Sequence, residues 1–144
     1  MLAKILAPFA AALLCAAALV LPQAAEKTLL FTGAQSYRFY AHSQSSQAEI
    51  VQASPENAFI VKLSLQDLTG ESAQYENAED AFSQAHKYGA QFVFSESAGD
   101  VTNYYYYAPR LGSGIRLCGR PVNLHVAVRA GGAAVGSPVI FGGY

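Results

Sequence analysis

The side chains that could do chemistry in this chain are few and far apart. His42, His86 and His125 are its histidines, and none has a second His or Cys two or four positions further on. Zinc needs three or four ligands converging in space, so neither a metal nor another cofactor is expected. Cys118 and His125 could form a nucleophile and base. Their odd separation puts them in opposite pleat phases of a strand pair. Gly112-Ser113-Gly114 could present a serine on a sharp turn, but it lacks the G-x-S-x-G spacing and reads better as a bend. Asp67 and Glu71 could supply the paired carboxylates of sugar hydrolysis. Glu71 is more simply a loop acid. No reaction follows from these residues, and a hydrolase of unfamiliar type stands only as the alternative reading.

Tyr104-Tyr105-Tyr106-Tyr107 carries more information. In a strand Tyr104 and Tyr106 face one way, Tyr105 and Tyr107 the other. One pair must then lie under a helix or in the core, and the other presents two phenols on a surface. Tyrosine offers a broad apolar ring with a polar tip, which suits a sugar, peptide or protein ligand. It is also a good strand former with no further role. The expected binding surface comprises Tyr105 and Tyr107, with Arg110 and His125 beside them. His125 alternates with Val122, Leu124, Val126 and Val128, which places it on the outer face.

The elements that must position these residues are legible in outline. Ser36 to His42 alternates, with Tyr37, Phe39 and Ala41 on one side, and reads as a strand. The Ser43–Gln47 loop, a return strand over Ala48–Ala53 and a turn at Ser54-Pro55-Glu56-Asn57 follow. Phe59, Val61, Leu63 and Leu65 alternate with Ile60, Lys62, Ser64 and Gln66, the cleanest strand signal in the chain. A helix starts at Asn77, a favoured N-cap with Glu79 and Asp80 in the first turn. Its stripe is Ala78, Ala81, Phe82, Ala85 and Tyr88, and Gly89 ends it. Strands are expected over Ala90–Glu96, with Phe92 and Phe94 on one face, and over Thr102–Ala108. Further strands cover Ile115–Cys118, Val122–Arg129, Ala133–Val135 and Val139–Phe141. Turns fall at Gly99-Asp100, Cys118–Pro121 and Gly131-Gly132. Short turns imply antiparallel pairing. The expected fold is α+β: a curved antiparallel sheet, ending in a four- to five-stranded meander, with the helix packed on one face.

Composition sets the setting. Lys4 precedes an apolar run from Ile5 to Leu21, and Pro22-Gln23-Ala24-Ala25 leads to the first acid, Glu26. That order reads as a secretory signal over residues 1–25, with residues 26–144 as one exported domain. An uncleaved N-terminal anchor is the rival, and only then is a membrane contact expected. The formal net charge of −1 argues against nucleic acid, which demands a clustered cationic surface. Arg110, Arg116, Arg120 and Arg129 make the last third locally basic. They give either a face with weak affinity for anionic polymers or a solvated sheet edge. Of the 2 cysteines only Cys118 follows the signal, so no intrachain disulfide is available.

Four segments in this order resemble the YwmB family of exported Firmicute proteins, described as TATA-box-binding-like. They are Leu68-Thr69-Gly70-Glu71, the run from Tyr104 to Leu111, Val122 to Val128, and Val135 to Phe141. The resemblance covers roughly residues 35–144. It implies a sheet with a helix behind it, like the DNA-binding saddle, and a place in the cell envelope linked to sporulation or cell-wall remodelling. It carries no implication of DNA binding, which export and acidic charge oppose. The chain departs from the family in its Ala and Gly content and its four consecutive tyrosines. The combined expectation is a non-catalytic envelope protein that binds a partner protein or wall polymer through its sheet face. N-terminal sequencing of the exported product should find Glu26 or a near neighbour first. An intact Met1 on a membrane-embedded product would favour the anchor.

Overall fold

The computed structural model describes residues 28–45 and 47–142. The expected signal over 1–25 lies outside them. The chain divides into a unit of residues 1–30 and a unit of residues 31–144, and the architecture below is that of the second. No helix among the described residues is long and apolar enough to cross a membrane.

The strands are β1 (Ser36–Ala41), β2 (Glu49–Ala53), β3 (Leu68–Tyr75), β4 (Gln91–Ala98), β5 (Val101–Tyr107), β6 (Ile115–Leu117), β7 (Arg120–Val122), β8 (Leu124–Arg129) and β9 (Gly132–Ser137). Two α-helices are described, α1 (Ala58–Ser64) and α2 (Ala78–Lys87). A curved, open, wholly antiparallel sheet has the order β2-β1-β3-β9-β8-β5-β4, and β6 and β7 form a separate hairpin. The class is α+β, as expected. β4, β5, β8 and β9 are the meander, and the β6–β7 hairpin is an excursion from it.

The helix at Asn77 forms as its signals require. The Asn77 side chain accepts the Asp80 N–H at 2.9 Å, capping one orphan donor. Ala81 and Ala85 are buried against the sheet. Small residues on this stripe let the helix approach closely over β9, β8 and β3.

The segment after Asn57 departs from expectation. Phe59–Gln66 is not a strand; its first part is α1. The Ser54 carbonyl accepts both the Asn57 and Ala58 N–H groups, so the turn rolls directly into a helix. Helical spacing then buries Ala58 and Lys62, while Phe59, Ile60 and Leu63 lie 44%, 64% and 48% exposed. The residue that strand alternation placed outward, Lys62, is the one that goes in. It makes a buried ion pair with Glu71, and the two side chains are almost wholly shielded. A charge this deep requires its counter-charge, and that demand overrides the β-propensity of Phe, Ile and Val.

β3 is the second departure. Glu71 is not a loop acid but sits in this central strand, between β1 and β9. Leu-Thr-Gly-Glu-Ser-Ala-Gln-Tyr has no apolar alternation, because its neighbours need small residues rather than large ones. A Cβ on Gly70 would lie 2.6 Å from the Ser137 carbonyl oxygen.

The last expected strand, Val139–Phe141, is instead an irregular strap laid across the sheet face opposite α2. Val139 and Phe141 are buried there, and Phe141 meets the Tyr40 ring edge-on at 5.1 Å. Gly136 lets it lie flat, since a Cβ there would stand 2.7 Å from Ile140 Cγ1. With the β6–β7 hairpin, the strap builds a second core from Tyr40, Tyr105, Val122, Val139 and Phe141. The turn of that hairpin is Cys118-Gly119 alone; Arg120 and Pro121 already belong to β7.

The Lys62–Glu71 pair generates a test. Lys62→Met or Glu71→Leu alone should cost about 3–5 kcal/mol by leaving one buried charge unmatched. The double change should recover most of that loss in urea unfolding. Additive single losses would show that the two groups do not depend on each other.

Candidate functional site

Register decides which tyrosines meet what. Tyr104 stands opposite Val126 and Ser95, Tyr105 opposite His125 and Phe94, and Tyr106 opposite Leu124 and Phe92. Tyr104 touches Phe82 of α2, with ring centroids 5.0 Å apart. Tyr104 and Tyr106 therefore face the helix side, and Tyr105 and Tyr107 the strap side.

The expected exposed surface is overturned at two of its residues. Tyr105 is 8% exposed and His125 6%. Their rings stack at 4.6 Å, and Phe94 stacks on the far side of Tyr105, also at 4.6 Å. The Tyr105 hydroxyl donates to Glu96 Oε1 at 2.9 Å. Burial, then this carboxylate, pushes the phenol up to about 12. Tyr107 is half-buried on the same face. Arg110 is exposed on the Pro109–Leu111 turn and lies over the Tyr88 ring at 5.8 Å, on the helix side. The strap and hairpin cover what alternation alone read as an open face, so these four residues form no common surface.

His125 has a structural duty. Its Nε2 stands 2.7 Å from Asn103 Oδ1, and its Nδ1 accepts the Ile140 N–H at 3.1 Å. That pattern assigns the proton to Nε2 and leaves the imidazole neutral. Beside it Asn123 is buried and uses its whole amide. Its Nδ2 donates to the Ala108 and Gly112 carbonyls at 2.7 and 2.8 Å, and its Oδ1 accepts the Ala108 N–H at 2.7 Å. Ser137 Oγ donates to the Asn123 carbonyl at 2.7 Å. These bonds fasten strap and loop to the sheet.

The open aromatic surface lies on the other side. α2 covers the middle of the sheet and leaves β5 and β4 bare beside it. Tyr104 and Tyr106 are half-buried there, and Phe92 is 57% exposed. Phe92 and Tyr106 meet edge-on at 5.8 Å. A bulge at Val93 turns Phe92 to this side and Phe94 to the other, contrary to the expected shared face. Phe82 forms a wall beside Tyr104, and Arg110 and Lys87 lie over the ring of Tyr88. Burial raises the Tyr106 phenol, and burial aided by Glu71 takes Tyr88 up to about 12. The Tyr106 and Tyr88 hydroxyls stay protonated near neutrality. They serve as stacking faces and hydrogen-bond donors, not as bases. Phe82 was visible in the helix stripe and the tyrosines in their run. Which face a helix ten residues long would leave uncovered was not.

The catalytic candidates do not assemble. Cys118 is exposed at the hairpin tip, and both nitrogens of His125 are engaged elsewhere. Ser113 is exposed on its bend. Asp67 and Glu71 part company: Glu71 is buried with Lys62, and Asp67 lies 3.7 Å from exposed His42, which also meets Glu49 at 3.2 Å. His86 is exposed in the last turn of α2. Among the described residues no three His, Cys, Asp or Glu side chains converge as a metal site would.

His125 makes the fold acid-sensitive. Burial takes it down from 6.5 to about 4. The unfolded chain therefore accepts a proton that the folded chain resists. Stability from this group is complete above about pH 6.5 and is lost as pH falls through about 4, about 3 kcal/mol in all. Urea unfolding at about pH 7.5 and about pH 4.5 should show the loss, and His125→Gln should flatten it. Equal pH dependence in the two proteins would assign the acid sensitivity to other groups.

The chain matches no protein-family model, no curated protein and no solved structure, so what it does has to follow from these side chains.

Proposed function

We propose that this chain is an exported, non-catalytic protein of the cell envelope, in keeping with its YwmB-like segments, and that it captures a partner protein or wall polymer. The contact surface in this reading is the helix-side shelf formed by Tyr104, Tyr106, Phe92 and Phe82. The observation that carries it is the exposure of Phe92 beside half-buried Tyr106, on strands that α2 meets through the Phe82–Tyr104 contact. Aromatic residues in a half-open setting give large contact area with little ordering cost. The order Lys4, apolar run, small residues supports export. The dispersal of Cys118, Ser113, Glu71 and His125 supports binding over a reaction.

Capture on purified cell wall and on envelope extract tests the reading. Phe92→Ala and Tyr106→Ala should weaken capture while changing stability by roughly 1 kcal/mol or less for the exposed ring. Tyr105→Ala should cost about 3 kcal/mol or more, as loss of a core aromatic does. If all three variants destabilise alike and capture is unchanged, the shelf is not the contact surface. Release of soluble fragments from the wall would point to an enzyme instead.

A further inference from the structure

One edge of the sheet carries a surface of its own. β4 is the last strand in the order, so one side of its backbone has no neighbouring strand. It is 8 residues long and contains neither Lys nor Pro, the residues that commonly guard an edge. Its pairing with β5 is regular from Phe94 to Ala98, beyond the bulge at Val93. The two-residue turn at Gly99-Asp100 makes Ala98 and Val101 the closing pair of the hairpin. Backbone groups alternate between the two sides of an antiparallel strand. Ala98, Glu96 and Phe94 therefore turn theirs to β5, and Ser97 and Ser95 turn theirs to the open edge. Val93 continues that alternation: its carbonyl accepts from Arg120 Nη1 at 3.2 Å rather than from β5. Ser95 to Ala98 are all exposed.

The strap-side face of this edge carries both signs of charge. Phe94 lies on it, stacked on Tyr105, and Glu96 accepts the Tyr105 hydroxyl there at 2.9 Å. Arg120 comes from the β6–β7 hairpin, which closes the same face. Among the described residues neither Glu96 nor Arg120 has an ion-pair partner within the chain. Glu96 stands just after Ser95, and Arg120 is held just before it, at Val93. An acid and a base that straddle one residue are self-complementary under a half-turn about that residue. Few registers are open, because only residues with outward backbone groups can bond across an antiparallel seam. Ser95 opposite Ser97 sets the two Glu96 side chains face to face, a like-charge pair that opposes association. Ser97 opposite itself runs the seam into the Gly99-Asp100 turn. Ser95 opposite itself places each Glu96 across from Phe94 of the other copy, next to the Arg120 at its Val93.

We infer that two copies of this chain pair through their β4 edges, antiparallel about Ser95, with Glu96 of each copy against Arg120 of the other. On pairing, the Val93 carbonyl exchanges Arg120 for the Ser97 N–H of the second copy, so Arg120 is released to the carboxylate and no backbone group loses a partner. Residues directly opposite across an antiparallel seam project to the same face. The helix-side shelves of the two copies thus fall on one side of a continuous sheet. The pairing does not rest on what the shelf captures; it doubles the shelf whatever the ligand.

Sedimentation equilibrium of the exported chain, with no wall material present, tests the pairing. A dimer should form with rising concentration and level off at twice the monomer mass. Hydrogen exchange at the Ser95 and Ser97 amides should slow as the dimer fills. Glu96→Arg and Arg120→Glu each set like charges together at both symmetric contacts and should each weaken the dimer by about tenfold or more. Mixing the two single variants restores opposite charges at both contacts, so a mixed dimer should return. Ser95→Pro removes an outward N–H, a change that edge strands tolerate, and should leave a folded monomer. If that variant fails to fold, the mixing experiment decides alone. Four results would overturn the proposal: a monomer at every concentration, even one that takes up an extended peptide at these amides; dimerisation unaltered by the charge variants; masses that climb past two copies without levelling; or a dimer whose Ser95 and Ser97 amides exchange as freely as the monomer's.

Discussion

A sheet of seven strands is far wider than one helix. Six spacings of about 4.8 Å make the sheet about 29 Å across, whereas a helix with its side chains is about 10–12 Å thick. α2 therefore covers the central strands only, and everything else about the two faces follows from how the remainder is treated. On the β1–β3 side, α1 supplies partial cover and brings the Lys62 ammonium inward to Glu71. On the β5–β4 side cover is slight: Phe82 of α2 meets Tyr104, Phe92 is 57% exposed, and the residues there are tyrosines and a phenylalanine. A tyrosine tolerates this half-covered position because its ring can pack while its hydroxyl meets water.

The opposite face is closed by irregular chain, and irregular chain carries backbone groups that need partners. Here polar side chains supply them. Asn123 satisfies the 108–112 loop, His125 receives the Ile140 N–H, and Ser137 returns a bond to the Asn123 carbonyl. The strap adds Val139 and Phe141 to an apolar cluster around Tyr40 and Tyr105. Apolar burial supplies the bulk of the attraction and the polar bonds fix its register. The same design makes a neutral His125 a condition of the closed face.

These two solutions divide the molecule's functional capacity. The covered face has its titratable groups engaged and offers no reactive pair. The uncovered strip presents aromatic rings and phenol hydroxyls, groups suited to stacking and hydrogen bonding.

The sequence by itself determined the local elements. Alternation set β1, β5 and β8, the Asn77 cap and Gly89 bounded α2, and Gly131 marked the last hairpin, because these depend on neighbours within a few residues. It also determined that the Tyr104–Tyr107 run must split between two faces. Tertiary structure alone decided which pair is covered, since that depends on where a helix and a strap from distant parts of the chain come to rest. It decided that Phe59–Leu63 is helical, because Lys62 had to reach Glu71, and that the featureless Leu68–Tyr75 is a central strand, because close packing against β9 selects small residues. His125 illustrates the limit. Its pleat phase was legible, but its burial was not, because alternation says which face a side chain takes and nothing of what later lies upon that face.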